Sequence, residues 1–170
     1  MEYKWFGAFL IVLGCGGFGF SMAAAHAREE QLLRHLISAL DYMQCELQYH
    51  MTPLPDLCRI AGQESSGEIR TVFLGLSDEL NHQISPDVAG CMDSVLIRSK
   101  ALTVRTRENL SLLGKSLGRF DLKGQLDGLE SVRGSCRRDL EKLSHNRDSR
   151  LRNYQTLGLC AGAALAILLI

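Results

Sequence analysis

Metal, nucleophilic and phosphate chemistry each need particular residue types at close spacing, and this chain scatters them. The five histidines (His26, His35, His50, His82, His145) stand far apart. Cys45 and His50 are five residues apart, which is neither one helical face nor a zinc-ligand spacing. No C-x-x-C occurs, so no metal site is expected. Leu113-Gly114-Lys115-Ser116 carries the end of a phosphate-binding loop, but the upstream glycine is missing and no strand precedes it. Glu46 with His50, and Asp121 with Gln125, sit four apart on helix faces. A catalytic dyad also needs a pocket and a third, orienting group, and neither pair points to one. These residues read as caps, surface pairs or partner contacts. No catalytic residue, no cofactor and no enzymatic activity is expected.

Small residues at helical spacing in the two apolar ends are more telling. Gly158, Gly162 and Ala166 recur every four residues, the pattern that lets transmembrane helices approach closely. Cys15 with Gly19, and Gly17 with Ser21, offer a matching surface near the other end. The two stripes could pack on each other, on other subunits, or as a homo-oligomer.

The elements that carry these stripes frame the chain. Trp5 to Ala24 is about twenty residues without a charge, enough to cross ~30 Å of hydrocarbon as a helix. Leu157 to Ile170 adds fourteen more, which reach only ~21 Å at about 1.5 Å per residue, so local thinning or a partner helix must take up the mismatch. Three parts follow: an N-terminal transmembrane anchor (1–25), a soluble domain (26–156) and a short C-terminal transmembrane segment (157–170). Arg137, Arg138, Lys142, Arg147, Arg150 and Arg152 lie on the domain side of the second run, which places the domain in the cytosol. The rival for the first run is a cleaved signal peptide ending near Ala23-Ala24-Ala25-His26-Ala27, with an exported helical binding protein as product. Val12-Leu13-Gly14-Cys15 also hints at a lipoprotein box.

The middle part holds 18 of the 19 basic and 18 of the 19 acidic residues, so its charge balances. That argues against a nucleic-acid partner, which would draw on a basic surplus. Its four cysteines (Cys45, Cys58, Cys91, Cys136) fall singly at what read as core positions of different helices, as buried free thiols in a reducing compartment do.

Apolar periodicity there is helical throughout, giving an all-α bundle of about six helices. Leu33, Leu36, Leu40, Met43 and Leu47 form the first seam. Thr52-Pro53 reads as N-cap and first-turn proline of a second helix that buries Leu54, Leu57, Cys58 and Ala61. Ser65-Ser66-Gly67 breaks it, and Ile69, Val72, Phe73, Leu76 and Leu80 follow. Ser85-Pro86-Asp87 repeats the cap-plus-proline device before Val88, Cys91, Met92, Val95, Ser99 and Leu102. A fifth helix over 106–117 turns Leu110, Leu113 and Leu117 inward. Gly118 ends it in left-handed conformation, and Asp121 caps a long sixth helix with nothing to stop it before the second apolar run.

Two stretches in this frame are distinctive: Glu46-x-x-Tyr49-x-x-Thr52-Pro53-Leu54, and Leu113-Gly114-Lys115-x-Leu117-Gly118-x-x-Asp121-x-x-x-Gln125. With Gln31-Leu32…Leu36…Ala39-Leu40 before them and Tyr154…Leu157-Gly158 after, the chain resembles the stage III sporulation protein AB family of endospore-forming bacteria over nearly its whole length. A glycine-rich, cysteine-containing first anchor and Gly134 inside the sixth helix depart from the pattern. The resemblance implies a non-catalytic scaffold in an assembly that links mother cell and forespore. Its helical domain would be similar to the cytosolic domain of the type II secretion platform protein. It implies the mother-cell membrane around the forespore as location, with other stage III sporulation proteins, including a secretion-type ATPase, as partners. Glu46, Tyr49, Thr52, Pro53, Leu54, Gly114, Leu117, Gly118, Asp121 and Gln125 are the matched residues that would serve partner binding. Thr52, Pro53, Gly118 and Asp121 also have capping explanations.

Overall fold

A computed structural model describes the backbone of residues 2–82, 87–118 and 121–169, and the side chains of 25–82, 87–118 and 121–145. Six α-helices and no strand occur among the described residues: α1 (Glu2–Tyr49), α2 (Leu54–Glu64), α3 (Gly67–His82), α4 (Val88–Arg98), α5 (Val104–Ser116) and α6 (Leu122–Leu169). Residues 29–141 form one compact unit, and 1–28 with 142–170 form another. No helix is long and apolar enough to cross a membrane among the described residues. The two apolar runs and their small-residue stripes (Cys15, Gly17, Gly19; Gly158, Gly162, Ala166) lie outside the residues whose side chains are described.

The expected stripes build the core of the 29–141 unit. Leu33, Leu36, Leu40 and Met43 on α1 are fully buried, as are Leu57, Cys58, Ala61, Ile69, Val72, Phe73, Leu76, Met92, Leu110, Leu113, Leu117 and Cys136. Leu54 and Leu80 are only half-buried. Cys45 departs from expectation, for it is exposed. It stands two residues from both Met43 and Leu47, about 200° around the helix from each, so the seam turns it outward.

Glycine sets how closely the helices approach. A Cβ on Gly62 would meet Leu74 Cγ at 2.9 Å between α2 and α3, and one on Gly114 would meet Met92 Cβ at 2.7 Å between α5 and α4. On Gly128 it would stand 2.5 Å from Ser116 Cβ, where α6 crosses the end of α5. Gly134 instead faces only Arg138 Nη1 at 3.4 Å, and α6 runs through it unbroken.

Polar pairs tie the helices together. Arg133 on α6 bonds Asp41 on α1 at 2.6 Å, and Asn109, buried on α5, donates to Asp139 on α6 at 3.2 Å. Arg107 donates to the Ser99 carbonyl at 2.9 Å and to the Leu96 carbonyl. These are carbonyls at the end of α4 that its own helix leaves without partners.

The caps were only partly foreseen. Thr103 caps α5, accepting from Thr106 N–H at 3.4 Å, so α5 starts two residues earlier than expected. Asp87 is the N-cap of α4, accepting from Gly90 N–H at 3.0 Å. This corrects the Ser85-Pro86 device, whose two residues lie outside the described ones. Pro53, not Thr52, is the N-cap residue of α2, with no side-chain cap bond. The Thr52 hydroxyl is engaged elsewhere.

Burial pushes the Cys58 thiol up to about 12 from its ordinary 9.0. Burial, aided by Asp139, does the same for Cys136. A thiol that stays protonated when folded but ionises when unfolded favours the unfolded chain once pH passes the unfolded value. Stability should therefore fall from about pH 9 toward 12, by roughly 1.4 kcal/mol per pH unit for each thiol. Denaturant titrations at pH 8 and pH 10 check this, and a Cys58→Ala, Cys136→Ala double variant should show a flatter profile.

Candidate functional site

The two distinctive stretches meet at one end of the bundle. The first ends α1, turns through 50–53 and opens α2. The second ends α5, turns, and opens α6. Gly118, at φ +73°, is the contact between them: a Cβ there would lie 2.6 Å from Val88 Cγ2 and 3.6 Å from Leu54 Cδ2. Leu54 of the first stretch and Gly118 of the second thus share a junction with the first residue of α4.

Glu46 organises the first turn. Its Oε1 accepts from the Tyr42 hydroxyl at 3.1 Å, and its Oε2 accepts from the Thr52 hydroxyl at 3.0 Å with His50 Nδ1 at 3.4 Å. Partial burial, then the bond to Glu46, raises the Tyr42 phenol above its ordinary 10.0, which keeps it a donor. The Glu46–Thr52 bond folds the chain back between α1 and α2. Met51, inside the turn, takes φ +50°, a left-handed conformation uncommon outside glycine. Held this way, the turn presents Tyr49 and Met51 to solvent, each 72% exposed, with exposed Pro53 beside them.

The other matched residues divide between support and surface. Leu117 is fully buried as the C-cap of α5, and Gly114 is buried against Met92. Asp121 caps α6 as expected, accepting from Gly124 N–H at 2.9 Å. Gln125 is half-buried on the first turn of α6, its N–H bonded to the Asp121 carbonyl at 3.0 Å. Lys115 and Ser116 fall within α5, so the Gly-Lys-Ser run forms no loop. No cluster of three or more His, Cys, Asp or Glu among the described residues is placed to hold a metal ion.

Sequence reasoning missed Tyr42, Val88 and Met51. Tyr42 was within reach, being four residues before Glu46 on α1. Val88 was counted as core without its role at the junction, and nothing local in the sequence marks the left-handed Met51.

A carboxylate that locks a turn and an exposed aromatic–methionine pair is suited to presenting a contact surface. Against this geometry, the family profile described as "Stage III sporulation protein AB (spore_III_AB)" matches residues 4–170. The chain belongs to the stage III sporulation protein AB family. The curated stage III sporulation protein AB of Bacillus subtilis (strain 168) is 25% identical over 176 residues, covering 98% of this chain and 99% of that protein. A solved structure of a stage III sporulation protein AB superposes with a TM-score of 0.63 at 20% identity, covering 72% of this chain and 98% of that one. That likeness shows a shared fold. Family membership gives this AB-family chain a role in stage III of sporulation.

Proposed function

We propose that this protein is a non-catalytic, membrane-anchored platform component of a sporulation channel between mother cell and forespore. Its place is the mother-cell membrane around the forespore, with the helical domain in the cytosol, where it connects a secretion-type ATPase to membrane channel parts. The observation that carries this reading is the exposed Tyr49–Met51–Pro53 surface, held by Glu46 and backed by the Leu54–Val88–Gly118 junction. Aromatic and methionine side chains fixed on a rigid turn are what partner surfaces use as anchors. Support for anchoring comes from the two charge-free ends, the basic flank of the second, and the unbroken course of α1 across Ala23–Ala27.

Each anchor residue at the centre of an interface contributes more than ~1 kcal/mol, so charging two should weaken the contact roughly tenfold or more. A Tyr49→Arg, Met51→Arg variant expressed in the sporulating host in place of the native chain should accumulate normally in the membrane fraction. It should lose co-isolating channel proteins from detergent and yield far fewer heat-resistant spores. Unchanged spore counts and co-isolation would remove this surface from the proposal. A mature N-terminus near His26 would instead establish the exported binding protein.

A further inference from the structure

Around the 29–141 unit, at the opposite end of α4 from the Leu54–Val88–Gly118 junction, α3 and α4 border an open groove of about 530 Å³. Glu68, Thr71, Asp78 and Glu79 line it from α3, and Arg98 and Ser99 from the end of α4, with Lys100 at the rim. Gly75 contributes no side chain to it. Three carboxylates against two cationic side chains leave the groove acidic.

Glu79 is the unusual member. It is only 5% exposed. One carboxylate oxygen pairs with Arg98, while Oε2 is buried with no hydrogen-bond partner among the described residues. Buried carboxylates are ordinarily satisfied at both oxygens, because desolvating the charge costs several kcal/mol that one contact does not repay. Arg98 holds on from outside, its side chain 65% exposed against 6% for that of Glu79. A solvated arginine on a flexible stem is easily displaced. The carboxylate beneath it is not.

We propose that this groove receives a lysine or arginine side chain of a partner protein, and that Arg98 occupies its place in the free chain. An incoming guanidinium can bond both Glu79 oxygens in parallel, the pairing that a forked donor and a carboxylate favour. Ser99 and Thr71 offer further polar groups, and Asp78 and Glu68 supply the field that draws a cation in. A single buried carboxylate flanked by the Ser99 and Thr71 hydroxyls suits the hydrogen-bond donors of an organic cation. The groove shares no residue with the Tyr49–Met51 surface, so the two proposals stand or fall separately.

The test uses the full chain, ¹⁵N-labelled, in a non-ionic detergent, with Nα-acetyl-arginine amide as probe and the neutral Nα-acetyl-citrulline amide as control. The arginine derivative should shift the Gly75 and Ser99 amide signals saturably and the citrulline derivative should not. Arg98→Gln should bind the arginine probe about tenfold more tightly if Arg98 covers the carboxylate some nine-tenths of the time. Adding Glu79→Gln to that variant, a neutral pair of nearly unchanged shape, should abolish the shifts. Equal response to the two probes, unchanged affinity in Arg98→Gln, or binding that survives the double substitution would each overturn the proposal. The comparison of the two probes on the unaltered chain decides even where a variant does not fold.

Discussion

Leu117→Ala should destabilise the domain by about 2–5 kcal/mol, while Tyr49→Ala should leave stability within about 0.5 kcal/mol of the parent. Both residues lie in the two distinctive stretches of the sequence, and sequence alone gives them equal standing. Burial separates them: Leu117 is fully enclosed and Tyr49 is 72% exposed. Truncating Leu117 removes its transfer energy and leaves a cavity at the end of α5, next to Gly118 and its contact with Val88. At roughly 4 °C per kcal/mol for a domain of this size, its melting temperature should drop by about 8–20 °C. Thermal melts followed by circular dichroism check both values, with partner co-isolation measured alongside. The two variants should move opposite readouts, stability for Leu117 and partner retention for Tyr49. If Tyr49→Ala destabilises as much as Leu117→Ala, the turn belongs to the fold and presents nothing.

Gly118→Ala should lower stability by about 2–4 kcal/mol, and Gly67→Ala by only about 1 kcal/mol. Both glycines are left-handed, at φ +73° and +60°. A Cβ in that conformation costs roughly 1–2 kcal/mol, partly offset by a stiffer unfolded chain. Only one of them lacks room as well. A Cβ on Gly67 meets nothing within 4 Å, whereas one on Gly118 comes within 2.6 Å of Val88 Cγ2. Valine is stiff at χ1 and cannot swing aside, so the crowding adds about 1–3 kcal/mol. Denaturant unfolding of the two variants measures the difference. Val88→Ala in the Gly118→Ala background should recover the crowding component and leave the conformational one.

These two sites show what the sequence could and could not disclose. Leu117 as an inward residue and Gly118 as a left-handed stop were legible, since periodicity and punctuation are local signals. So was Asp121 as the cap of α6. The meeting of Gly118 with Leu54 was not, because it joins residues 64 positions apart and no local pattern encodes it. Thr52 was misassigned for the same reason. Its spacing before a proline suits an N-cap, but Glu46 lies within reach in three dimensions and takes the hydroxyl. Cys45 was placed in the core on residue type alone, against the phase of the Met43–Leu47 seam beside it. The Glu79–Arg98 pair left no trace, for its members stand nineteen positions apart on different helices. Within the family resemblance, the matched residues were found but not sorted. Only burial and bonding separate Tyr49 and Pro53, which face outward, from Leu117 and Gly114, which are buried, and Glu46, which bonds across the turn.

The approach of Gly128 to Ser116 carries a different lesson. Where α6 crosses α5, two Cβ atoms would be 2.5 Å apart, so the crossing has room for one. The chain gives that space to Ser116, whose hydroxyl donates to the Leu113 carbonyl at 3.0 Å. The constraint belongs to the pair rather than to either residue. A relative with its glycine on α5 and a small side chain on α6 would satisfy the same crossing. Compared column by column, both positions would look free to vary, although their joint occupancy is fixed.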